Sequence, residues 1–499
     1  MNAPDTHTMT TSAGVRLHTT ANEVPVNFVR PQDFKAKARA AVADPQLREN
    51  FRGAMDFLID RRAAHFSDGD TFKQFRSMGE AIRQHALAHL PELLEQLEAK
   101  LTGLGVQVHF AENAADANRI FLAIAKAQRA SIMVKGKSMV SEEVELNHAM
   151  AAEGVDCIET DLGEYILQLD GDRPSHIIMP AIHKTKQDIA RIFEQRIPNA
   201  GYTEDVDELV RIGRETLREQ FRDARIGVSG VNFMVAETGT LALVENEGNG
   251  RLCTSVPEVH IAITGIEKVI ARFDHLLPLY ALLTRSATGQ AITTYLNLIT
   301  GPRRAGEKDG PREMHLILLD NGRTQAYREE KFRATLQCIR CGACMNHCPV
   351  YTRVGGLSYG TTYPGPIGSI ISPHLLGLKA TRDLPTASSL CGACGEVCPV
   401  NIPIPDLLMK LREAARNDDD QLIAPLQGQA SARAALEVAT WRMWRLLYAN
   451  AWIYRLFAYW APRLRWLTPS NQAGWTRSRT PLIPARRSMR ELLAQRRGE

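Results

Sequence analysis

At 499 residues the chain is long enough for about three domains, and its 44% apolar and 23% charged residues are typical of a globular protein with a large core. The net charge of +4 is unevenly distributed, since residues 441–490 contain ten Arg and no Lys, Asp or Glu. This asymmetry indicates a basic surface-binding tail and argues against a nucleic-acid-binding protein. Without an apolar run of eighteen residues or a secretory pattern, a cytoplasmic protein is expected, with attachment to the inner face of the membrane as an alternative.

The first part of the chain divides into a polar segment and a helical region. Residues 1–27 are polar, and we expect them to be disordered. Over residues 28–104, the stretches FKAKARAAV, FRGAMDFLIDRRAAHF and AIRQHALAHLPELLEQLEAKL repeat apolar residues at steps of three and four. This period predicts amphipathic helices.

Residues 105–328 read as an α/β domain. Short β-rich runs alternate with helical stretches such as ANRIFLAIAKAQRA and KTKQDIARIFEQRI. The alternation predicts βαβ units and a mostly parallel sheet covered on both faces. The predicted strands are VQVHFAE, SIMVKG, DCIET, SHIIMP, ARIGVSG, TLALVE and VHIAIT. Cys157 and Cys253 fall in this region, and we expect them to be buried as small apolar side chains.

Four strings of the α/β domain stand out. KGKSMVSEE (135–143), ETDLGEYILQL (159–169) and AETGTLALVENEGNGR (236–251) contain glycine and acidic residues, and PSHIIMPAIHK (174–184) contains two His. In the first string, backbone amides between a strand and a helix could bind an anion, or a serine could simply cap the helix. We expect His176 and His183 to be structural. No Gly-x-Gly-x-x-Gly follows a strand, so a nicotinamide cofactor is not supported, and the catalytic residues stay unknown.

Residues 329–412 carry the cysteine motifs. The string QCIRCGACMNHCPVY places Cys338, Cys341, Cys344 and Cys348 in the spacing C-x2-C-x2-C-x3-C-P. This spacing is typical of proteins with two iron–sulfur clusters, in which the first three cysteines hold one cluster and the fourth holds the other.

A second string, LCGACGEVCPV, follows with Cys391, Cys394 and Cys398, and Ser388 stands where a first cysteine would be. The crossed rule assigns one cluster to the set Cys338, Cys341, Cys344 and Cys398, and the other to the set Cys348, Cys391 and Cys394. The fourth ligand of the second cluster is open: Ser388, a water, a nearby side chain or none. We expect [4Fe-4S] clusters, with a [3Fe-4S] form as the alternative for the second. Structural zinc also uses C-x2-C pairs, but it fits a third cysteine at a two-residue gap and the C-P endings less well.

The last region, residues 413–499, is basic and contains all six Trp. Its segment WRMWRLLYANAWIYRLFAYWAPRLRWL combines five Trp with five Arg, which interrupt any membrane span. Three interpretations remain open: a helix docked on a partner subunit, a helix lying in a membrane interface, or a helix packed on the chain's own cluster domain.

The motif strings, in this order, resemble the lactate-utilisation iron–sulfur proteins of the LutB/YkgF type. The likeness rests on KGKSMVSEE, ETDLGEYILQL, PSHIIMPAIHK and AETGTLALVENEGNGRL followed by CIRCGACMNHCPVY and LCGACGEVCPVNIP, and covers roughly residues 65–410. It implies a LUD domain similar to the layers of sugar-phosphate isomerases and CoA transferases, followed by a small helical, ferredoxin-like dicluster domain and a helical C-terminal tail. The same two cysteine sets carry over as cluster ligands.

The resemblance also implies a role. The chain would be one subunit of a cytoplasmic L-lactate dehydrogenase complex that does not use NAD, and would not be catalytic alone. Its partners would be a cysteine-rich subunit and a second LUD-domain subunit, with a membrane-linked or quinone acceptor as a further expectation. Two other hypotheses stay open: a self-sufficient 2-hydroxy-acid oxidoreductase with its substrate site in the LUD domain, and a redox-sensing or scaffold protein.

Overall fold

A computed structural model describes residues 8–10, 16–18, 31–417, 435–472, 476 and 480–496. The chain divides into two compact units, residues 1–428 and residues 429–499. None of the described helices is both long and apolar enough to cross a membrane.

The N-terminal region is helical, as its apolar period predicts. Its helices are α1 (Phe34–Ala43), α2 (Pro45–His65), α3 (Gly69–Ala88) and α4 (Leu90–Gly103). Asp44 caps α2 by accepting a hydrogen bond from the Leu47 N–H, and Pro45 follows at the first helical position, where its missing N–H costs nothing. Within the segment predicted to be disordered, β1 (Thr8–Thr10) and β2 (Arg16–His18) pair antiparallel. These two strands depart from the predicted disorder, since β2 lies against a helix of the α/β domain, a tertiary contact that the local sequence does not encode. The other residues of 1–27 lie outside the described part of the chain, so their disorder stays a prediction.

The α/β domain is built on a six-stranded parallel sheet. In chain order its elements are β3 (Val106–Ala111), α5 (Ala114–Ala127), β4 (Ile132–Lys135), α6 (Met139–Glu143), α7 (Leu146–Ala151), β5 (Asp156–Glu159), α8 (Leu162–Asp170), α9 (Lys186–Arg196), α10 (Val206–Asp223), β6 (Ile226–Gly230), β7 (Phe233–Val235), β8 (Thr240–Glu245), α11 (Asn249–Ser255), β9 (Val259–Gly265), β10 (Val269–Ile270), α12 (Leu276–Ala287), β11 (Tyr295–Ile299) and β12 (Glu313–Leu319). The strand order is β3-β12-β9-β6-β4-β5. Its central strands β9 and β12 are almost wholly buried, as expected when helices cover both faces.

A second sheet has four strands in the order β10-β7-β8-β11. It is mixed, because β10 and β7 pair parallel whereas β7 and β8, and β8 and β11, pair antiparallel. The strand predicted at SHIIMP is wrong. The Ser175 N–H donates to the Pro180 carbonyl, and the N–H groups of Ile178 and Met179 donate to the His176 ring, so the segment is a closed loop without a neighbouring strand.

The cluster region, residues 323–417, consists of helices joined by loops. Five of its seven α-helices have four to six residues, and two have twelve and fourteen. The seven are α13 (Arg323–Arg328), α14 (Glu330–Arg333), α15 (Ala343–Asn346), α16 (Tyr351–Val354), α17 (Gly365–Leu376), α18 (Ala393–Glu396) and α19 (Ile404–Asn417). One apolar core joins Phe51 and Met55 of α2, Leu282 of α12 and Ile370 of α17. The cluster region is therefore packed into the first unit and shares its core.

The second unit contains α20 (Ala435–Ala449), α21 (Ala451–Arg463) and α22 (Met489–Arg496). Trp441, Trp444, Trp452, Trp460 and Trp466 are exposed on or just after α20 and α21, and the sixth, Trp475, lies outside the described residues. The role of this tail stays a prediction.

Candidate functional site

The two cysteine motifs adopt the same local backbone. Each contains the tetrapeptide Cys-Gly-Ala-Cys, in which a left-handed glycine, Gly342 or Gly392, precedes a one-turn helix, α15 or α18. The residues just before the tetrapeptides, Arg340 and Leu390, also have positive φ angles, of 62° and 55°. At Gly342 and Gly392 the positive φ angle has no steric cost, because glycine lacks a Cβ atom. The repeated turn brings two cysteines, three positions apart, into one short loop in both motifs.

Electrostatic repulsion between neighbouring thiols divides the seven cysteines into two groups. Burial raises the pKa of Cys344 well above its ordinary value, and repulsion from Cys341, Cys338 and Cys398 raises it further, with a smaller contribution from Cys394. Burial likewise raises the pKa of Cys394, with repulsion from Cys348 and Cys391. The groups coincide with the two ligand sets of the crossed rule, and the assignment of a cluster to each stays a prediction.

The burial of these thiols fits a metal cluster. Cys341, Cys344, Cys348, Cys394 and Cys398 are all buried. Burial raises the pKa of Cys341 to about 12 and that of Cys398 to about 11, so these thiols alone would stay protonated at neutral pH. The positive charge of bound iron favours the thiolate form that ligation requires. Among the described residues, no three His, Cys, Asp or Glu side chains are arranged to hold a single metal ion.

Backbone N–H groups point at two of the predicted ligand sulfurs. The Arg340 N–H lies 3.3 Å from Cys338 Sγ, and the Ile402 N–H lies 3.3 Å from Cys398 Sγ. Hydrogen bonds of this kind stabilise the negative charge of a cluster's thiolates and raise its reduction potential.

The second group differs from the first in its exposure. Cys391 is exposed, whereas no cysteine of the first group is. Ser388, at the place of the absent cysteine, accepts a hydrogen bond from the Leu390 N–H at 3.1 Å. The second group is thus the part of the candidate cluster site that is open to solvent.

Cationic side chains surround the first group. Arg76 donates to the Cys398 carbonyl at 2.8 Å, and Lys268 donates to the Cys338 carbonyl at 2.9 Å. The fully buried Arg83 donates to the carbonyls of Gln337 and Leu336. These side chains come from α3 and from the loop after β9. The two arginines of α3 bring positive charge to the segment with the cysteine motifs, whereas burial lowers the pKa of Lys268 to about 7. Positive charge there favours the reduced, more negative state of a cluster.

A buried ionic network fixes the cluster region to the carboxyl edge of the parallel sheet. Arg323 forms two hydrogen bonds with Glu143, each of 2.8 Å, and a third of 2.6 Å with Glu267. Tyr363 of the cluster region donates to Glu143 at 2.7 Å, and Arg340, between Cys338 and Cys341, pairs with Glu267 at 3.4 Å. Burial opposes ionisation of Glu267, but the neighbouring charges of Arg323, Arg340 and Lys268 lower its pKa to about 2. Ligands of parallel α/β sheets bind at this edge.

A second contact joins the 174–184 loop to the segment of Cys348. His176 donates from Nε2 to Asn346 Oδ1 at 2.9 Å, because its Nδ1 accepts backbone N–H groups. Tyr351 donates to the Ser175 carbonyl at 2.6 Å. A Cβ on Gly356 would lie 1.7 Å from that carbonyl, so only glycine permits this approach. The expected structural role of His176 agrees with these contacts.

Sequence reasoning did not identify the buried charges at the carboxyl ends of β4 and β5. Lys135, the last residue of β4, is fully buried and pairs with Glu159, the last residue of β5, at 2.6 Å and with Glu142 at 2.8 Å. Both glutamates lie in strings that the sequence marks as unusually acidic. Their pairing with Lys135 could have been inferred only from the adjacency of the two strands. In the same strings, Ser138 caps α6 by accepting from the Ser141 N–H, as the simpler alternative predicts.

Three family matches cover most of the chain. Residues 94–319 match the LUD domain, residues 334–402 match the 4Fe-4S dicluster domain, and residues 410–498 match the C-terminal domain of lactate utilisation protein B. The first two matches lie on the parallel sheet and on the cysteine-bearing region described above.

Three relatives are similar to most of the chain. Lactate utilization protein B of Bacillus licheniformis is 40% identical over 482 residues, covering 94% of this chain and 98% of the relative, and that of Bacillus subtilis is 39% identical over 475 residues, covering 93% and 96%. The uncharacterized electron transport protein YkgF of Escherichia coli is 45% identical over 380 residues, covering 76% and 80%. A crystal structure of a DUF162 family protein from Deinococcus radiodurans, 15% identical, covers 46% of this chain and 98% of its own with a TM-score of 0.25, too low to compare the folds.

Proposed function

The chain belongs to the lactate utilisation protein B family of iron–sulfur proteins, and on that premise we propose that it relays electrons from L-lactate through two clusters to another protein or acceptor. The observation that carries the proposal is that two separate sets of cysteine side chains lie inside one packed region. Each cluster accepts one electron at a time, so two of them in one domain suit the relay of the two electrons that oxidation of lactate to pyruvate releases.

The side chains of the cluster region have defined parts in this relay. The set Cys338, Cys341, Cys344 and Cys398 would hold the first cluster, and the set Cys348, Cys391 and Cys394 the second. Arg76 and Arg83 place positive charge beside the first set, which stabilises an arriving electron. The Arg323 network holds this region against the sheet, and three of the four cysteines of the first set are buried.

The exposure of Cys391 supports electron exchange with a partner at the second set. The partners proposed are a cysteine-rich subunit and a second LUD-domain subunit, in a cytoplasmic complex. Since the conversion of lactate to pyruvate is a two-electron step, its site is proposed to be completed only in that complex.

The proposal is tested by adding L-lactate anaerobically to the chain alone and to the chain co-purified with its two proposed partners. We expect the visible absorbance of the clusters to bleach in the complex and to stay unchanged in the chain alone. A complex that oxidises lactate without bleaching this chain's clusters would favour the scaffold hypothesis.

A self-sufficient 2-hydroxy-acid oxidoreductase is the second candidate. The specific observation in its favour is the buried charged group of Lys135, Glu142 and Glu159 at the edge of the sheet, since strongly perturbed ionisable groups cluster at functional sites. Bleaching of the clusters by lactate in the chain alone would establish this candidate.

A further inference from the structure

A cavity of about 230 Å³ lies at the carboxyl ends of β4 and β5, the edge of a parallel sheet where ligands bind. This volume is below the roughly 300–1,000 Å³ of sites for drug-sized ligands, so the cavity suits a ligand of few heavy atoms. Carboxyl side chains are the commonest part of its wall: Glu142, Glu145, Asp156, Glu159, Glu164, Asp170 and Asp172. Such a wall repels an anion and attracts a positively charged ligand.

In the part of the chain that the structure describes, cationic side chains offset only part of this charge. Arg173, Lys135 and Lys184 each pair with one or two carboxylates of the wall. Burial lowers the pKa of His148, which also lines the cavity, so its ring carries no charge at neutral pH. Three positive charges against seven carboxyl groups leave an excess of four carboxyl groups.

Four oxygen atoms of the wall are buried and accept no hydrogen bond. They are Asn147 Oδ1, Asp156 Oδ1, Glu159 Oε2 and Glu164 Oε2, which no donor among the described residues reaches. Glu159 and Glu164 are each only 3% exposed. Asn147 donates through its amide nitrogen to the other oxygen of Glu159 at 2.6 Å, so its own oxygen is left to accept. Because buried acceptors are nearly always hydrogen-bonded, the four together indicate a ligand with several donors.

The ionisation of the wall shows the same shortage of positive charge. Burial raises the pKa of Asp156. Burial, together with the neighbouring charge of Glu159, raises the pKa of Glu164 well above its ordinary value. A positive charge within about 4–6 Å would favour the ionised form of both side chains. A bound cation supplies this charge, whereas a bound anion would raise both pKa values further.

An ammonium group matches these acceptors in charge and in hydrogen bonding. Beside the cavity, the Lys135 ammonium already lies 2.6 Å from Glu159 and 2.8 Å from Glu142, so carboxylates of this wall hold one such group. A ligand ammonium has three N–H donors and one positive charge. It can therefore satisfy up to three of the four unpaired oxygens.

The cavity also has an apolar part, formed by Leu146, Ala151 and Leu167. A bare metal ion would leave these side chains without an apolar contact, whereas a short hydrocarbon chain would cover them. The wall thus favours an organic cation with a few carbon atoms over a metal ion.

We propose that this cavity binds a small primary amine as its ammonium ion. The N–H groups of the ligand donate to the unpaired oxygens of Glu159 and Glu164, and its carbon chain lies against Leu146 and Leu167. The site is independent of the proposed electron relay, since binding of the amine requires neither lactate nor reduction of a cluster.

The binding of n-propylammonium chloride to the full anaerobic holoprotein is measured by calorimetry, with three comparison compounds. Propan-1-ol has a similar shape without the charge, propionate has the opposite charge, and tetramethylammonium has the charge without an N–H donor. We expect n-propylammonium to bind and each comparison compound to bind at least about tenfold more weakly.

Glu164→Gln keeps the shape of the side chain but removes its carboxylate, and should weaken n-propylammonium binding by about tenfold or more. Asp156→Asn tests the same site at a less buried position, should Glu164→Gln fail to fold as judged by iron content, and should weaken binding severalfold. Glu153→Gln, at an exposed acidic residue outside the wall, is the matched control and should change nothing.

Absence of n-propylammonium binding, or binding that neither Glu164→Gln nor Asp156→Asn changes, would overturn the proposal. Equal binding of propan-1-ol or tetramethylammonium would do the same, because the charge or the N–H donors would then not matter. Displacement of n-propylammonium by an equal concentration of MgCl2 would identify a metal site instead. Reduction of the clusters by lactate in the complex is measured separately, so the relay can stand where this site fails, and the reverse.

Discussion

Arg323 holds Glu143 by both carboxylate oxygens, each at 2.8 Å, and the two side chains are 0% and 4% exposed. Arg323 follows β12 and Glu143 ends the helix after β4, so the pair bridges the carboxyl edge of the sheet where the cluster region rests. Burial alone would raise the pKa of Glu143, but the guanidinium charge lowers it below its ordinary value. The pair therefore stays ionised and keeps Tyr363 hydrogen-bonded to the edge.

Arg323→Met should destabilise the protein by about 3–5 kcal/mol, because it leaves Glu143 buried without its charge partner. The measurement is the denaturant midpoint of the anaerobic holoprotein followed by circular dichroism. Arg312→Met is the control: Arg312 and Glu258 form an ion pair of 2.7 Å with side chains 69% and 56% exposed, worth at most about 1 kcal/mol. Equal midpoints for the two variants would contradict a structural role for the buried pair.

His176 should make stability depend on pH. Burial lowers its pKa to about 4, with the nearby Lys137 charge adding to this effect and the hydrogen bond to Asn346 opposing it. Because the folded protein binds the proton less readily than the unfolded chain, the contribution of His176 is complete above about pH 6.5 and is lost as the pH falls toward about 4. The loss amounts to about 3 kcal/mol.

The prediction is checked by unfolding the wild type and His176→Gln at several pH values in this window. The wild type should lose stability more steeply than the variant as the pH falls. Parallel curves would show that His176 does not titrate with folding. Comparison with the variant separates this effect from the acid sensitivity of the clusters, which both proteins share.

The sequence predicts most directly the features that are local. The cysteine spacings and the strand–helix alternation are encoded within a few residues, and the α/β class, the parallel sheet and the 4Fe-4S domain are confirmed. The repeated Cys-Gly-Ala-Cys also has a local cause, since Gly342 and Gly392 can adopt the left-handed angle that the turn requires. The burial of Cys157 and Cys253 agrees with their expected apolar role.

Features made by distant segments are not predicted. The apolar run of β12 is absent from the predicted strands, since periodicity alone cannot tell a short buried strand from a helix segment. β7, β10 and β11 are also absent from the predicted strands. β7 and β10 have only three and two residues, too few to show an alternation of apolar and polar side chains. The partners of Glu143 lie 180 and 220 positions away, at Arg323 and Tyr363, so no local pattern marks them.

Arg76 should raise the reduction potential of the cluster that includes Cys398, to whose carbonyl it donates. Arg76→Gln removes the charge but keeps a donor, and should lower that cluster's midpoint potential by on the order of tens of millivolts. Potentiometric titration monitored by EPR measures the change. Arg52→Gln, an exposed arginine paired with Asp56 on α2, should leave both potentials unchanged. An unaltered potential in Arg76→Gln would show that the charge is screened from the cluster.

The crossed arrangement makes opposite predictions for two cysteines. Cys398→Ser should abolish or alter the cluster of the first motif although it lies in the second, and Cys348→Ser should affect the cluster of the second motif. EPR of the reduced variants distinguishes the two signals, and Cys157→Ala should retain both, since this buried thiol lies in β5. Loss of the second-motif cluster in Cys398→Ser, together with an unchanged first cluster, would establish an uncrossed arrangement.

The relay from lactate is tested most directly by iron and sulfide analysis followed by EPR of the anaerobic protein, with and without L-lactate and the proposed partners. The account predicts about eight iron atoms per chain, or about seven if the second cluster has the three-iron form, and reduction of both clusters by lactate only when the partners are present. Iron for a single cluster, or clusters that dithionite reduces but lactate does not in a complex that oxidises lactate, would contradict it.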